Sequence, residues 1–271
     1  AINYHPADLP LYRGGLPLQA MILGGEASFR VCCHQLTEII DDPNGILSVS
    51  QPVPICPLTD DYKAVFARTL AALPDVVGSA LQRVEARGEG KAAPLAAKAA
   101  PLAAEAAPLA ERPSSVPHSF AIKLVDYTDP ATGQVLKSNV GVLSRVCVEW
   151  SEDTALDVER AARAFAGNLG TYTDYEGLPW KIEQCSLPQE LPVAGRPQAP
   201  GTVLEVERLD DGASLVRVAT VDGQTVTLTG RFTAAAAEVE AGGCFESRTP
   251  ISSFLGISRR ADRVVGAPRY A

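Results

Sequence analysis

A proline recurs every seven residues in the middle of this chain. Residues 91–111 hold three consecutive copies of a repeat built on Ala-Ala-Pro-Leu-Ala, which places Pro94, Pro101 and Pro108 at equivalent positions. A proline inside a helix removes a backbone hydrogen bond and costs about 3 kcal/mol. A coiled coil also needs two apolar positions per heptad, and each repeat here offers one leucine. The pattern predicts an Ala/Pro-rich linker over residues 88–117. The alternative is a strap whose leucines bind a partner at regular intervals.

This linker separates the modules of an α+β protein. The sequence predicts an N-terminal arm and helical module (1–87), then the Ala/Pro heptad-repeat linker (88–117). A β-hairpin plus helix module (118–191) and a second linker (192–201) follow, and the chain ends in a β-meander with an Arg-rich tail (202–271). The fold class expected is therefore antiparallel hairpin and meander modules with one or two helices behind a helical N-terminal module. Whether 118–191 and 202–271 share one core is left open.

The N-terminal module is predicted to contain an arm and two helices. Prolines and glycines crowd residues 3–25, which favours an extended arm. Residues 26–40 are predicted to be helical and 46–55 at most an edge strand. The helical interpretation of 26–40 rests on four apolar residues, Phe29, Cys33, Leu36 and Ile40. A second helix is expected to begin at an N-cap on Thr59 and to be interrupted at Pro74.

The C-terminal half alternates β-type and turn-type sequence. Residues 119–150 predict a long hairpin, and Ser151 or Asp153 would then cap a helix. Residues 171–191 are rich in aromatic residues and are predicted to form a loop. Residues 202–232 are the clearest β signal, because Asp-Gly pairs separate three β-rich runs that would suit a small barrel.

Histidine-based or metal-based chemistry is not predicted. The chain has three histidines, His5, His34 and His118, and none lies in a hydrolase-like motif. Cys32 and Cys33 precede His34, but consecutive side chains point in different directions and do not suit one ion. The sequence therefore predicts no catalytic, cofactor-binding or metal-binding residue.

Two groups of residues are candidates for a site. The carboxylates Glu149, Asp153 and Asp174 would form an enzyme site if they converged in a pocket. Exposed aromatic residues and cationic tail residues are the candidate partner contacts. These are Tyr172, Tyr175, Trp180, Arg259, Arg260 and Arg263. Each aromatic could equally roof the core of its own domain.

The charge and the module pattern together favour a structural role. The formal net charge of −8 is a poor match for duplex DNA, which needs clustered cations. An arm, a long linker and a charged tail without catalytic motifs indicate a non-enzymatic assembly subunit, most plausibly of a bacteriophage or other virus particle. Its partners would be copies of itself and other subunits. No membrane partner is expected, and synthesis would be cytoplasmic, with an organellar origin left open.

Two alternatives remain. One is a nucleic-acid-associated accessory protein that uses the C-terminal β module and the Arg-rich tail. The other is an enzyme with an unrecognised carboxylate site.

Overall fold

The structure is a computed structural model. It describes residues 1–9, 11–38, 40–88, 125–128, 135–138, 142, 144–188, 198–233 and 237–247. The chain divides into two compact units, Ala1–Asn139 and Val140–Ala271. Both contain antiparallel sheets and helices, which confirms the α+β class. The predicted linkers fall almost wholly outside the described residues, and so do Arg259, Arg260, Arg263 and His118.

The first unit is built around a three-stranded antiparallel sheet with the order β1-β3-β4. Its strands are β1 (Ile2–His5), β3 (Cys32–Gln35) and β4 (Ile46–Val49). Two shorter strands, β2 (Ser28–Phe29) and β5 (Val53–Pro54), pair with each other. The register of β1 on β3 places Asn3 opposite His34.

Two expectations for the start of this unit are wrong. Residues 3–25 are not an arm, since they include β1 and a buried helix α1 (Pro17–Gly24). Residues 26–40 are not a helix, since they contain β2 and β3. Two members of the supposed helical face, Leu36 and Ile40, are 52% and 40% exposed, so the helical spacing was coincidental. Pairing of β2 with β5, and of β3 with β1 and β4, decides the conformation instead.

Helix α2 (Tyr62–Gly88) runs through Pro74 without ending there. Its N-terminus is capped by Asp61, whose Oδ1 accepts the backbone N–H of Ala64 at 2.8 Å, and not by Thr59. The helix packs against β3 and β4. By length and composition alone it could also cross a bilayer, because an 18-residue window within it has a mean hydropathy of 1.4. Strands β6 (Val125–Thr128) and β7 (Val135–Ser138) form a separate antiparallel pair.

The second unit is a six-stranded sheet that curls into a half-barrel. The strand order is β10-β11-β12-β9-β8-β13. The predicted meander supplies β10 (Val203–Arg208), β11 (Ser214–Ala219) and β12 (Thr225–Phe232). The segment 171–191, expected to be a loop, supplies β8 (Thr171–Tyr175) and β9 (Leu178–Ser186), and β13 is Phe245–Glu246. β9 pairs with β12, so residues from both predicted C-terminal modules share one sheet.

Helix α3 (Ala155–Phe165) lies in the same unit and begins at a capping box. Thr154 is its N-cap and Asp157 returns the hydrogen bond, so neither Ser151 nor Asp153 caps it as predicted. The core beneath the helix and the sheet is aromatic and β-branched. Its largest buried members are Trp150, Trp180 and Phe245.

Candidate functional site

The three sheet-forming segments of the first unit bring together residues that are distant in sequence. Asn3 and His5 lie on β1, His34 lies on β3, and Asp41 lies in the turn between β3 and β4. His5, His34 and Asp41 are buried, with exposed fractions of 4%, 1% and 8%. Buried ionisable groups of this kind are rare unless they are paired or functional. We call these four residues the His–Asp cluster.

Asp41 is placed between the two histidines. Its Oδ2 lies 3.4 Å from Nδ1 of His5, and its Oδ1 lies 3.4 Å from Nε2 of His34. The backbone N–H of Gly14 donates to Oδ2 at 2.7 Å. Burial alone would raise the pKa of Asp41, but His34, His5 and this N–H outweigh it and hold the pKa below its usual value. Asp41 is therefore a carboxylate at neutral pH.

The hydrogen bonds of His5 define its tautomer. Nε2 of His5 lies 2.8 Å from the carbonyl oxygen of Tyr12, and a carbonyl can only accept, so Nε2 carries the proton. Nδ1 then presents a lone pair beside Asp41. Burial lowers the pKa of His5, and the Asp41 carboxylate only partly offsets this effect. His5 is accordingly a neutral base next to a negative charge that would stabilise its protonated form.

His34 and Asn3 complete the cluster. Nδ1 of His34 is 3.2 Å from the backbone oxygen of Gln35 and donates to it. Nε2 of His34 lies 3.3 Å from Nδ2 of Asn3 and 3.4 Å from Oδ1 of Asp41. Asn3 is half-buried and is the most accessible of the four. The arrangement can take up a proton at His5 and offer an amide donor nearby.

The sequence interpretation misplaced both histidines of the cluster, which lie on strands. His5 was placed in an arm and His34 on a helix, so nothing connected either residue with Asp41. The available signal was the short apolar run Val31–Cys33, which has the length of a buried strand and puts His34 at its end. Among the described residues no group of three or more His, Cys, Asp or Glu side chains is arranged to hold a metal ion.

The carboxylates that the sequence singled out have other partners. Oδ1 of Asp153 accepts from Arg145 at 2.7 Å, and its Oδ2 accepts the backbone N–H of Glu149 at 2.8 Å. Oε1 of Glu149 accepts from Ser151 at 2.8 Å. Asp174 faces Glu246 across the β8–β13 pair. Asp153 thus fixes the start of the α3 region.

The candidate aromatic contacts belong largely to the core. Trp180 is fully buried and Tyr175 is 4% exposed, and the rings of both pack against Phe245, at centroid distances of 5.0 and 5.5 Å. Tyr172 is half-buried. This burial favours the alternative in which the aromatics roof their own domain.

The solved structures that resemble this chain include HypX and two N-formyltransferases. HypX from Aquifex aeolicus in complex with tetrahydrofolic acid matches with a TM-score of 0.49 at 18% identity, over 84% of this chain and 31% of HypX. An N-formyltransferase from Helicobacter canadensis, in complex with folinic acid and dTDP-3-aminofucose, matches with a TM-score of 0.46 at 14% identity, over 84% and 65%. WlaRD, a sugar 3N-formyltransferase, matches with a TM-score of 0.42 at 14% identity, over 84% and 64%. The chain thus spans about a third of the HypX structures that it matches.

No protein-family model matches the chain, and no curated protein matches it. The structural matches contradict the hypothesis of a non-enzymatic assembly subunit or virion component, because the proteins concerned are enzymes. That hypothesis was wrong because it rested on the lack of a local catalytic motif. A site assembled from β1, β3 and the turn after β3 leaves no such motif in the sequence.

Proposed function

We propose that this chain carries the acid–base centre of an enzyme that transfers a formyl group to an amine. Asn3 and His5 would act on the substrates, with Asp41 next to Nδ1 of His5 and His34 next to Asp41. The observation that carries this proposal is the buried Asp41 carboxylate between two histidine rings, each 3.4 Å away. Burying a carboxylate beside two ionisable rings is costly for stability, and such arrangements concentrate at catalytic sites.

The chemistry of the cluster fits acyl transfer to nitrogen. The amine nitrogen attacks the formyl carbon, a C–N bond forms, and the carbonyl oxygen becomes an oxyanion. The N–H of Asn3 supplies a donor for that oxyanion. Nδ1 of His5 takes the proton released by the amine, and Asp41 stabilises the resulting imidazolium. The same proton passes from His5 to the leaving nitrogen as the original C–N bond breaks.

The ligands of the similar structures suggest the donor to test first. They include tetrahydrofolic acid, folinic acid and 5-N-formyl-tetrahydrofolate. A formyl-tetrahydrofolate is thus the first choice of donor. The acceptor amine would be found by screening amino sugars, amino acids and aminoacyl conjugates.

The first experiment compares formyl transfer by the wild-type chain with that of His5→Ala and Asp41→Asn. General-base catalysis contributes roughly 100- to 10,000-fold, so kcat/KM is expected to fall by that order in His5→Ala. Arg83→Lys is the control, because Arg83 is an exposed residue of α2 and its replacement should leave kcat/KM unchanged. Wild-type rates retained in both cluster variants would overturn the proposal.

The pH dependence gives a second readout of the same role. The rate depends on neutral His5, so kcat/KM is expected to rise with pH and reach its plateau once His5 has lost its second proton. Burial lowers the pKa of His5, which places the midpoint of the rise below its ordinary value of 6.5. Asp41→Asn removes the charge that favours the imidazolium, so this midpoint should move to still lower pH while the plateau rate falls.

A further inference from the structure

Three consecutive residues, Tyr12, Arg13 and Gly14, form hydrogen bonds to the His–Asp cluster or to the residue before Asp41. The carbonyl oxygen of Tyr12 accepts from Nε2 of His5 at 2.8 Å. The guanidinium group of Arg13 donates to the backbone oxygen of Ile40 through Nε at 2.9 Å and also through Nη2. The N–H of Gly14 donates to Oδ2 of Asp41 at 2.7 Å. The turn thus connects β1 to the loop that carries Asp41.

The backbone of Asp41 requires such a restraint. Its φ is +47°, in the left-handed region that non-glycine residues seldom adopt, and Tyr12 has a φ of +54°. Residues in this region keep it only where surrounding contacts hold them. The peptide before Asp41 ends in the Ile40 carbonyl, and two donors of Arg13 fix the direction of that carbonyl. A planar guanidinium can supply two donors in a fixed fork, which a lysine cannot.

We infer that Arg13 is a positioning residue, which holds the Ile40–Asp41 peptide so that the Asp41 carboxylate stays between His5 and His34. This inference rests on the proposed function for its catalytic meaning, but the positioning itself can be measured without substrate. Arg13 also lies close enough for its charge to disfavour protonation of His5. A test must therefore separate the effect of the Arg13 charge on the pKa of His5 from the effect of its hydrogen bonds to the Ile40 carbonyl.

The test is a double-mutant cycle read out by NMR titration of the His5 ring. The variants are Asp41→Asn, Arg13→Lys and the double variant, each in the full chain. In the wild-type background, Asp41→Asn should lower the pKa of His5 by about one unit, as expected for removal of an opposite charge within 4–6 Å. In the Arg13→Lys background, whose positive charge is kept, the same substitution should lower it by less than about half as much.

Arg83→Lys provides the matched control, because Arg83 is an exposed residue of α2 and should leave the effect of Asp41→Asn unchanged. If Arg13→Lys does not fold, Arg13→Gln is the second variant. In this background too, Asp41→Asn should lower the pKa of His5 by less than it does in the wild-type background. An equal drop in the pKa of His5 with arginine, lysine or glutamine at position 13 would overturn the inference. Failure of the formyl-transfer assay would not alter this titration, so the two hypotheses fail separately.

Discussion

The surroundings of two buried aspartates in this chain shift their pKa values in opposite directions. Asp41 has two histidines and a backbone N–H around it, and its pKa is lowered. Asp174 is 4% exposed, and its Oδ1 has no hydrogen-bond partner within the described residues. Burial, and then the nearby Glu246 carboxylate, raise the pKa of Asp174 to about 6. The first arrangement serves an ionised site, whereas the second makes ionisation unfavourable for the fold.

This difference predicts a pH-dependent gain of stability in Asp174→Asn. The folded state binds the Asp174 proton more tightly than the unfolded state, so wild-type stability falls as the pH rises from about 4 to above about 6. Asparagine removes that loss. The free energy of unfolding at pH 8 should increase by roughly 1–2 kcal/mol relative to wild type, after allowance for solvent screening.

Denaturant unfolding at pH 8 and at pH 4 measures this effect. The gain should shrink towards pH 4, where the folded wild-type protein holds the proton and the unfolded protein is about half protonated. Asp210→Asn, in an exposed turn of the same unit, is the control and should show no such trend. A gain of equal size at both pH values would contradict the assignment to Asp174.

At the scale of elements, the predictions from sequence succeeded where the signal was local. The Asp-Gly turns over residues 210–212 and 222–223 separate β10, β11 and β12 as expected, because Gly212 and Gly223 adopt φ of +81° and +73° there. The prediction for the segment 26–40 was wrong because its strands form by pairing with β1, β4 and β5. The spacing of apolar residues within one segment does not show which distant strands the segment will pair with. The His–Asp cluster escaped prediction for the same reason.

The cap of α3 provides a test of one such local contact. Oγ1 of Thr154 accepts the N–H of Asp157 at 3.3 Å, and Oδ2 of Asp157 accepts the N–H of Thr154 at 3.0 Å. Thr154→Ala should lower the free energy of unfolding by about 1 kcal/mol, because it leaves a helix N–H without its partner. Ser151→Ala is the matched control, since the exposed Ser151 hydroxyl donates to the Glu149 side chain before the helix and its loss should change stability little. Equal losses in the two variants, measured by denaturant unfolding, would contradict the role of Thr154 as N-cap.

At the scale of the whole molecule, each unit has a core of its own. The cluster of Val148, Trp150, Trp180 and their neighbours lies entirely within the second unit, and the His–Asp cluster lies within the first. Both tryptophans of the chain belong to the second unit, so tryptophan fluorescence reports on that unit alone. The His5 ring reports on the first. The sequence could not show that β8 and β9 complete the sheet of the meander, since the pairing of β9 with β12 joins segments about 40 residues apart.

Gly230 allows the separation of the two units to be tested. It sits on β12 at a register shift opposite Ile182, and an added Cβ would lie 2.2 Å from the backbone oxygen of Lys181 and 2.6 Å from the Trp180 ring. Neither the strand backbone nor a fully buried indole can move aside cheaply. Gly230→Ala should therefore destabilise the second unit by about 3 kcal/mol or more, seen as a lower midpoint of the tryptophan transition.

Gly212→Ala is a control for the loss of a glycine in the same sheet, because nothing lies within 4 Å of its added Cβ. It should cost less, through its positive φ alone. The titration of His5 should be unchanged in both variants, because the contacts that set the pKa of His5 come from Asp41, Tyr12, His34 and Arg13 of its own unit. A shift in the His5 titration that accompanies the lower tryptophan midpoint would show that the His–Asp cluster depends on the second unit, and the two cores would then have to be treated as one cooperative structure.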